Sequence, residues 1–347
     1  MKAFRRFAKK ERAARIEEIP IPKPRKEEVL IKVSHCGICG SDLHAWLNHK
    51  GYESVLTEVT FGHELSGTVI ELGAEVKKWK QGDQVVLIAL QTPHDPNDPF
   101  CKNGLPQLSK RRRVQGLHLD GGMAEYICVN EEFLIGIPKG IPMKLAALTE
   151  PLSVAEHCVE NRTSIKENDR VIVSGPGIIG MLCAICARER GADVFIVGTK
   201  RDEKIRLSAA KQLGFTTIVV ENDKSPLHEQ VKDYFQCGAD ALIEASGAPR
   251  ALSEAWRSVR PNGVVTAVAL YSNSIDFDVT QFLRKQIDLR TSYASSKPDY
   301  IRAFKLLNSG KVDAETLLNI YNLEDAETGF IESENLEVMK AVLQCNS

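Results

Sequence analysis

The sequence predicts an α/β protein in two parts, a strand-rich part followed by a doubly wound parallel sheet. Residues 1–150 consist mostly of short strands and turns. Beyond residue 150, nearly continuous runs of Val, Ile and Ala alternate with amphipathic helices, which is the pattern of parallel strands covered on both faces. The length of 347 residues also suits two domains of about 150 residues each.

Composition and charge exclude several classes of function. Lys and Arg number 45 against 46 Asp and Glu, so the chain lacks the basic excess of a nucleic-acid-binding protein. No apolar run approaches the roughly 20 residues that span a bilayer. The first residues are charged and show no apolar h-region of a secretory signal. Without such a signal, the nine cysteines indicate free thiols in a reducing compartment. We expect a cytoplasmic protein that binds neither nucleic acid nor membrane.

The strand-rich part contains three clear strands, a turn and one long loop. Strands are predicted at 29–33, 66–73 and 84–89, with a Gly-Asp turn before the third. The segment 91–108 holds four prolines and no periodicity, which predicts a long loop. The basic run at 110–113 is interpreted as a solvated face.

The later part carries a glycine motif in the setting that a dinucleotide requires. The predicted strands cover 170–174, 193–197, 216–220, 241–245 and 263–270, and the predicted helices cover 181–190, 202–213 and 298–309. A Gly-x-Gly-x-x-Gly sequence joins the first strand to the first helix, as in a Rossmann domain. Its backbone amides and the helix N-terminus are predicted to bind a pyrophosphate. The residues are Gly175, Gly177, Ile178, Ile179 and Gly180.

The end of the second strand of this sheet indicates NADP rather than NAD. An NAD-binding domain carries an Asp or Glu about 20 residues after the glycines, where it accepts hydrogen bonds from the ribose. Here Gly198 and Thr199 stand in that place, followed by Lys200 and Arg201, which attract a 2′-phosphate. The alternative is that the two cations only begin a solvated helix and that Asp202 binds the ribose.

A third set of residues suggests a metal site. Cys36 and Cys39 form a C-x-x-C pair, and His63 and Glu64 follow 24 residues after the second cysteine. A redox pair and half of a zinc knuckle both fit poorly, because the strand–helix context and the second close cysteine pair are missing. One cysteine with a distant His-Glu fits a catalytic zinc better, since such sites mix S, N and O ligands.

Five motifs together resemble the zinc-dependent medium-chain alcohol and polyol dehydrogenases, most closely the sorbitol-dehydrogenase-like members. They are Gly-Ile-Cys-Gly-Ser-Asp-Leu-His at 37–44, Gly-His-Glu-Leu-Ser-Gly at 62–67, Gly-Asp-Gln-Val at 82–85, Gly-Gly-Met-Ala-Glu-Tyr at 121–126 and Glu-Pro-Leu-Ser at 150–153. The resemblance covers nearly the whole chain. It implies a GroES-like β-rich catalytic domain of residues 1–151 and 292–347, and a Rossmann cofactor-binding domain of residues 152–291.

The resemblance also implies the roles of individual residues. It places zinc on Cys39 and His63, with Glu64 and Glu150 as acidic candidates, one of which binds directly and the other through water. Glu64 is thereby also a catalytic candidate. Zinc lowers the pKa of the substrate hydroxyl and hydride passes to the nicotinamide. The remaining expected roles belong to residues of one segment: Asp42 orients a ligand, Ser41 takes the hydroxyl proton, and His44 passes it towards solvent. Trp46 is expected to line the pocket, and the alternative is that it is an exposed or core residue.

One departure from the family concerns the lobe at 91–116. Family members commonly hold a structural zinc there with four close cysteines, whereas this chain has only Cys101. One thiolate cannot form a closed tetrahedral site, so we predict a single zinc per chain. His118 and His157 are not expected to be ligands, and Cys183 and Cys186 are expected to be packing residues.

The predicted function is hydride transfer between NADP, in preference to NAD, and a secondary alcohol of a free or phosphorylated polyol or sugar, or its ketone. The alternatives are a threonine-type amino-alcohol or simple alcohol dehydrogenase of the same family, and a zinc-free relative that reduces quinones or binds cofactor as a regulatory protein. A homodimer or homotetramer is implied by the resemblance.

Overall fold

A computed structural model describes residues 1–221, 225–232 and 234–346. The chain divides into two compact units. The first unit comprises Met1–Glu150 together with the chain from Ser296 onward, and the second comprises Pro151–Ser295. Within the described residues, no helix combines the length and the apolar character needed to cross a membrane.

The strands follow one another along the chain with these bounds: β1 (Lys2–Arg6), β2 (Ala14–Glu18), β3 (Glu28–Gly37), β4 (Val59–Thr60), β5 (Glu64–Leu72), β6 (Gln84–Leu87), β7 (Leu90–Gln91), β8 (Arg113–Val114), β9 (Tyr126–Asn130), β10 (Leu134–Gly136), β11 (Arg170–Ser174), β12 (Asp193–Thr199), β13 (Thr216–Val220), β14 (Ala239–Glu244), β15 (Val259–Ala267), β16 (Asp288–Thr291), β17 (Leu318–Asn322) and β18 (Lys340–Gln344).

The α-helices are α1 (Gly40–Trp46), α2 (Pro99–Lys102), α3 (Met143–Ala146), α4 (Thr149–Glu156), α5 (Ile178–Glu189), α6 (Arg206–Gln212), α7 (Leu227–Gln230), α8 (Pro249–Ser253), α9 (Val279–Lys285), α10 (Lys297–Asn308), α11 (Ala314–Leu317) and α12 (Ala326–Glu334). A π-helical segment covers His157–Thr163. Single 3₁₀ turns cover Pro106–Leu108, Glu131–Phe133, Lys200–Asp202, Ala255–Arg257 and Leu323–Asp325.

The first unit is built around a sheet with strand order β10-β6-β5-β3-β18-β17, and β9 also pairs with β3. Strand β18 lies antiparallel to the end of β3, so residues 342–344 pair with residues 35–37. A smaller sheet has the order β2-β1-β4. Phe4, Trp46, Phe61 and Phe330 pack together in the core of this unit.

The second unit is a six-stranded parallel sheet with order β13-β12-β11-β14-β15-β16. This is the order of a Rossmann fold, in which the chain runs outward in both directions from the first strand. The central residues Val171, Ile172 and Val173 are fully buried, as strands covered on both faces require. The prediction of a strand-rich part followed by a doubly wound parallel sheet is confirmed.

Two elements of the structure differ from the prediction, and in each case a capping residue determines where the helix begins. The helix predicted from residue 202 begins at Arg206, because Asp202 closes a 3₁₀ turn by accepting hydrogen bonds from Thr199. The predicted loop at 91–108 contains α2, which starts with Pro99 at its first position. Asp98 caps this helix by accepting from the amide of Phe100 at 2.8 Å.

Candidate active site

The start of α1 places two of the predicted site residues. Cys39 is the N-cap of this helix, and its amide donates to Oδ2 of Asp42 at 3.0 Å. This bond fixes the first turn and turns Asp42 inward, where the carboxylate is fully buried. Ser41 lies between them on the same turn, partly exposed.

Three predicted ligands come together at this helix start. The ligand atoms of Cys39, His63 and Glu64 all lie within 4.8 Å of one another. The two latter residues are nearly fully buried, and the cysteine is partly exposed. A thiolate, an imidazole and a carboxylate at this spacing form a donor set suited to zinc.

His63 is oriented by polar groups on both sides of its ring. Its Nδ1 lies 3.5 Å from Oδ1 of Asp42, and its Nε2 lies 3.4 Å from the Ser41 hydroxyl. Burial by itself lowers the pKa of His63, but Asp42 and Cys39 outweigh it and hold the pKa well above the usual value. A carboxylate behind one nitrogen is the arrangement that orients a ligating imidazole towards a metal with the other.

Glu64 has a buried cationic partner on the C-terminal strand. Nζ of Lys340 forms an ion pair with Oε2 of Glu64 and also donates to the carbonyl of Ile38 at 2.8 Å. Burial lowers the pKa of Lys340, but Glu64 and its neighbours raise it above its usual value. Gly37 makes room for this pair, because a Cβ there would lie 2.1 Å from the Glu64 carboxylate.

The charges at the site favour a divalent cation. Asp42, Glu64 and Glu150 supply three carboxylates, and Lys340 supplies one ammonium. Metal binding requires Cys39 as a thiolate and His63 as a neutral imidazole, so the anionic groups then outnumber the cationic one. Burial raises the pKa of Glu150, and Glu64 adds to this effect while His63 and Lys340 oppose it. Buried charges of this kind are stable when they are paired or coordinate a metal. The residues therefore fit the zinc ion that the sequence predicts.

The glycine loop of the second unit has the form of a phosphate cradle. Gly175 has a φ of 105°, and a Cβ on Gly180 would lie 1.9 Å from the Gly175 carbonyl oxygen, so both positions need glycine. At Gly177 the nearest protein atom to such a Cβ is 3.8 Å away, which leaves space beside the backbone. The helix α5 begins here, and the amides of its first turn, including those of Ile178 and Ile179, point out of the helix end.

Comparisons with known proteins decide the family. Residues 25–139 match the alcohol dehydrogenase GroES-like domain family, and residues 179–309 match the zinc-binding dehydrogenase family. A sorbitol dehydrogenase of Halalkalibacterium halodurans is 33% identical over 94% of both chains. A D-arabitol-phosphate dehydrogenase of Enterococcus avium is 31% identical over 93% of this chain and 92% of its own. The crystal structure of 2R,3R-butanediol dehydrogenase from Bacillus subtilis superposes with a TM-score of 0.89 at 27% identity, covering 99% of each chain.

The chain belongs to the zinc-dependent medium-chain alcohol and polyol dehydrogenases. The resemblance drawn from the five motifs is thereby confirmed, and so are its GroES-like and Rossmann-type folds. This dehydrogenase is an enzyme that uses zinc and a nicotinamide cofactor.

The end of β12, which the sequence predicts to bind the ribose, has one unexpected feature in this dehydrogenase. Lys200 and Arg201 are exposed, as expected of cations that meet a phosphate. The Thr199 amide and hydroxyl both donate to Oδ2 of Asp202, at 2.9 and 2.8 Å. Asp202 is buried in this capping role, and a Cβ on Gly198 would lie 3.2 Å from it. The hydroxyl proton of Thr199 is therefore already engaged.

Sequence reasoning missed two cations that the fold brings to these sites. Lys340 reaches Glu64 from the far end of the chain, and only the pairing of β18 with β3 shows it. Arg206 points a guanidinium nitrogen towards Gly177, and its Nη1 lies 3.7 Å from Asp202. Its place four residues after Asp202 on a predicted helix could have indicated this pair.

Trp46 is placed differently from the expectation. Its side chain is 1% exposed, and its ring centroid lies 5.3 Å from that of Phe330. Of the two expectations for Trp46, the core residue is the one the structure shows, and the pocket-lining role is wrong, because α1 turns this side chain into the core of the first unit. His118 accepts a hydrogen bond from the amide of Val114, and His157 contacts Asn161 at 3.0 Å. Cys183 and Cys186 are fully buried on α5.

Proposed function

We propose that this dehydrogenase oxidises a secondary alcohol of a free or phosphorylated polyol or sugar, and reduces the corresponding ketone. One observation carries the proposal: the group formed by Cys39, His63 and Glu64, with the Ser41 hydroxyl 3.4 Å from the imidazole. The substrate class is supported by the relatives, which are described as sorbitol and D-arabitol-phosphate dehydrogenases.

The proposed metal ligands are Cys39, His63 and Glu64, with Glu150 acting through water. Glu150 is assigned the indirect role because it stands outside the group of ligand atoms, although it influences the pKa of His63. Zinc at this place would act as a Lewis acid on the substrate oxygen. Asp42 holds the His63 ring, and Lys340 holds the Glu64 carboxylate.

Proton transfer is assigned to two residues of α1. Ser41 stands beside the imidazole and is proposed to accept the hydroxyl proton of the substrate. His44 lies three residues later on the same helix, hence on the same face, and is proposed to receive the proton next.

The proposed cofactor is NADP, bound by Gly175, Gly177, Ile178, Ile179 and Gly180 at its pyrophosphate, and by Gly198, Thr199, Lys200 and Arg201 at its ribose. The burial of Asp202 and the two bonds that its Oδ2 accepts from Thr199 support the proposal that Asp202 is not the acid that binds the ribose. Thr199 also gives its proton to Asp202, so the preference for the 2′-phosphate is assigned to the two exposed cations rather than to the hydroxyl.

A substrate panel tests the activity. Polyols, sugars, their phosphates, threonine and simple alcohols are assayed with both cofactors, on the zinc enzyme and on the chelated protein. We expect zinc-dependent turnover that is highest with a polyol or its phosphate. A maximum with threonine or a simple alcohol would identify a different member of the family. Activity that is indifferent to chelation would contradict the zinc mechanism.

The cofactor preference is tested by the ratio of kcat/KM values for NADP and NAD. A charge-assisted bond contributes about 1.5–3 kcal/mol, and about 1.4 kcal/mol corresponds to tenfold, so one contact gives a preference of roughly 10–100-fold. Solvent exposure reduces it. A Lys200→Ala/Arg201→Ala variant should lose most of this preference, whereas Lys211→Ala on the following helix should keep it. A wild-type preference for NAD would overturn the proposal.

Three further expectations are proposed for the whole protein. The two compact units are interpreted as the domains predicted at 1–151 with 292–347 and at 152–291. The protein is expected to be cytoplasmic. It is also expected to form a homodimer or homotetramer, and β16 supplies an edge strand on which Leu289 is 47% exposed.

A further inference from the structure

Two histidines, one on α1 and one just after it, share a hydrogen bond. Nδ1 of His44 and Nδ1 of His49 lie 2.8 Å apart, and their ring centroids are 5.1 Å apart. A neutral imidazole has one donor nitrogen and one acceptor nitrogen. This contact therefore requires a proton on one of the two Nδ1 atoms and a lone pair on the other. Such a pair is arranged to pass a proton between its rings.

The chain after α1 holds His49 in this position. Asn48 adopts a left-handed conformation with a φ of 53°, and the His49 amide donates to the carbonyl of His44 at 3.0 Å. The ring of Tyr52 stacks on that of His44, with centroids 5.4 Å apart. His44 is partly exposed and His49 is exposed, so the pair leads outward to solvent.

His44 belongs to the same helix as Ser41, the residue proposed to take the substrate proton. Ser41 and His44 lie on one face of α1, three residues apart. Among the described residues, His44 makes no side-chain hydrogen bond except the one to His49, so its Nε2 is left for an incoming proton. Burial lowers the pKa of His44 and the neighbouring His49 lowers it further, so a proton is not retained there.

We propose that His49 is the residue through which His44 delivers the substrate proton to water. Nε2 of His44 takes the incoming proton while the proton on its Nδ1 moves to Nδ1 of His49. His44 is then neutral, and His49 carries the positive charge until its Nε2 gives a proton to water. Because both rings reach solvent, rotation and exchange with water restore the starting tautomers. This inference rests on the proposed dehydrogenase function.

A His49→Gln variant tests the inference, with His94→Gln as the matched control, since His94 is an exposed histidine elsewhere in the first unit. Single turnovers of alcohol oxidation are followed in weak buffer, with a pH indicator for proton release and the absorbance of the reduced cofactor for hydride transfer. We expect proton release in His49→Gln to lag behind the wild type by roughly 10-fold, below the ~10²–10⁴-fold effect of a group that acts on the reacting atoms. Concentrated imidazole buffer should restore steady-state turnover, and zinc content and cofactor affinity should not change.

The outcomes separate the inference from the function on which it rests. Proton release at the wild-type rate in His49→Gln would overturn the role of His49 while leaving the dehydrogenase activity in place. A slower rate that imidazole fails to rescue would show a structural role and would also overturn it. A wild-type enzyme without zinc-dependent alcohol oxidation would overturn the proposed function itself.

Discussion

A single hydroxyl connects the metal group with the proton path. Ser41 is the residue that lies beside His63 and also shares a helix face with His44. Its proposed role is proton transfer, and the glycine loop proposed to bind the cofactor belongs to the other unit of the chain.

Ser41→Ala should lower turnover by roughly 10²–10⁴-fold, the range for a lost acid–base group. Cofactor affinity should change little, because the hydroxyl is proposed to act on the reacting alcohol. The measurement is a comparison of kcat with the cofactor dissociation constant, together with a deuterium isotope effect on hydride transfer. Ser41→Thr keeps a hydroxyl and should retain most of the activity. An unchanged kcat in Ser41→Ala with a full isotope effect would contradict the assignment.

The residues of the site differ in how far the sequence predicts them. Cys39, His63 and Glu64 were predicted because each stands in a short motif whose chemistry is local. Lys340 was not, because a lysine near the end of a chain carries no signal until β18 is known to pair with β3. Trp46 was misplaced for a related reason: the sequence shows that it lies on a helix, but not which face of the helix is covered.

At the scale of elements, the carboxylate of one residue links three neighbouring strands of the parallel sheet in the second unit. Asp240 of β14 accepts from the amide and from Nε of Arg170 on β11, both at 2.9 Å. On its other side it accepts from Nε of Arg260 on β15 at 2.6 Å. Three neighbouring strands are thereby held in register at one end. The alternation of strands and helices in the sequence predicts these strands. It does not predict the side-chain bonds between them, because those depend on the order of the strands in the sheet, which only the fold shows.

Asp240→Asn should destabilise the protein in a pH-dependent way. Partial burial raises the pKa of Asp240, but the bonds from Arg170 and Arg260 outweigh it and lower the pKa to about 2. A carboxylate with a depressed pKa stabilises the fold above its unfolded pKa and loses this contribution as the pH falls through the folded value. After allowance for solvent screening, the loss in Asp240→Asn should be about 1–2 kcal/mol near neutral pH.

Urea unfolding of both proteins at several pH values measures this difference. It should be constant above about pH 5 and decline progressively from about pH 4 towards pH 2. Asp276→Asn, which changes an exposed carboxylate of the same unit, serves as the control and should show little difference at any pH. A difference for Asp240→Asn that does not depend on pH would mean that the charge is not what holds the strands.

At the scale of the whole molecule, the two units divide the chemistry between them. The three proposed zinc ligands and Glu150 lie in the first unit, and the glycine loop and the strand end proposed to bind the ribose lie in the second. The sequence predicts this division into two units, because short strands and turns give way near residue 150 to apolar strands that alternate with helices. The return of the C-terminal segment to the first unit was implied only by the family resemblance, since no local pattern at residues 340–344 indicates a partner.

Loss of the metal should therefore affect the first unit selectively. We expect one zinc per wild-type chain, none in His63→Ala, and one in Cys101→Ser, because Cys101 has no companion cysteines with which to form a second site. Without zinc, the negative charges around Glu64 lose their compensation, so α1 and the adjoining ends of β3 and β5 should exchange their amide hydrogens faster. Strands β11–β16 bury their own core and should keep their protection.

Metal analysis combined with hydrogen exchange measures both effects. Two tightly held zinc ions in the wild type would refute the single-site prediction, and loss of protection throughout β11–β16 in His63→Ala would show that the second unit depends on the metal.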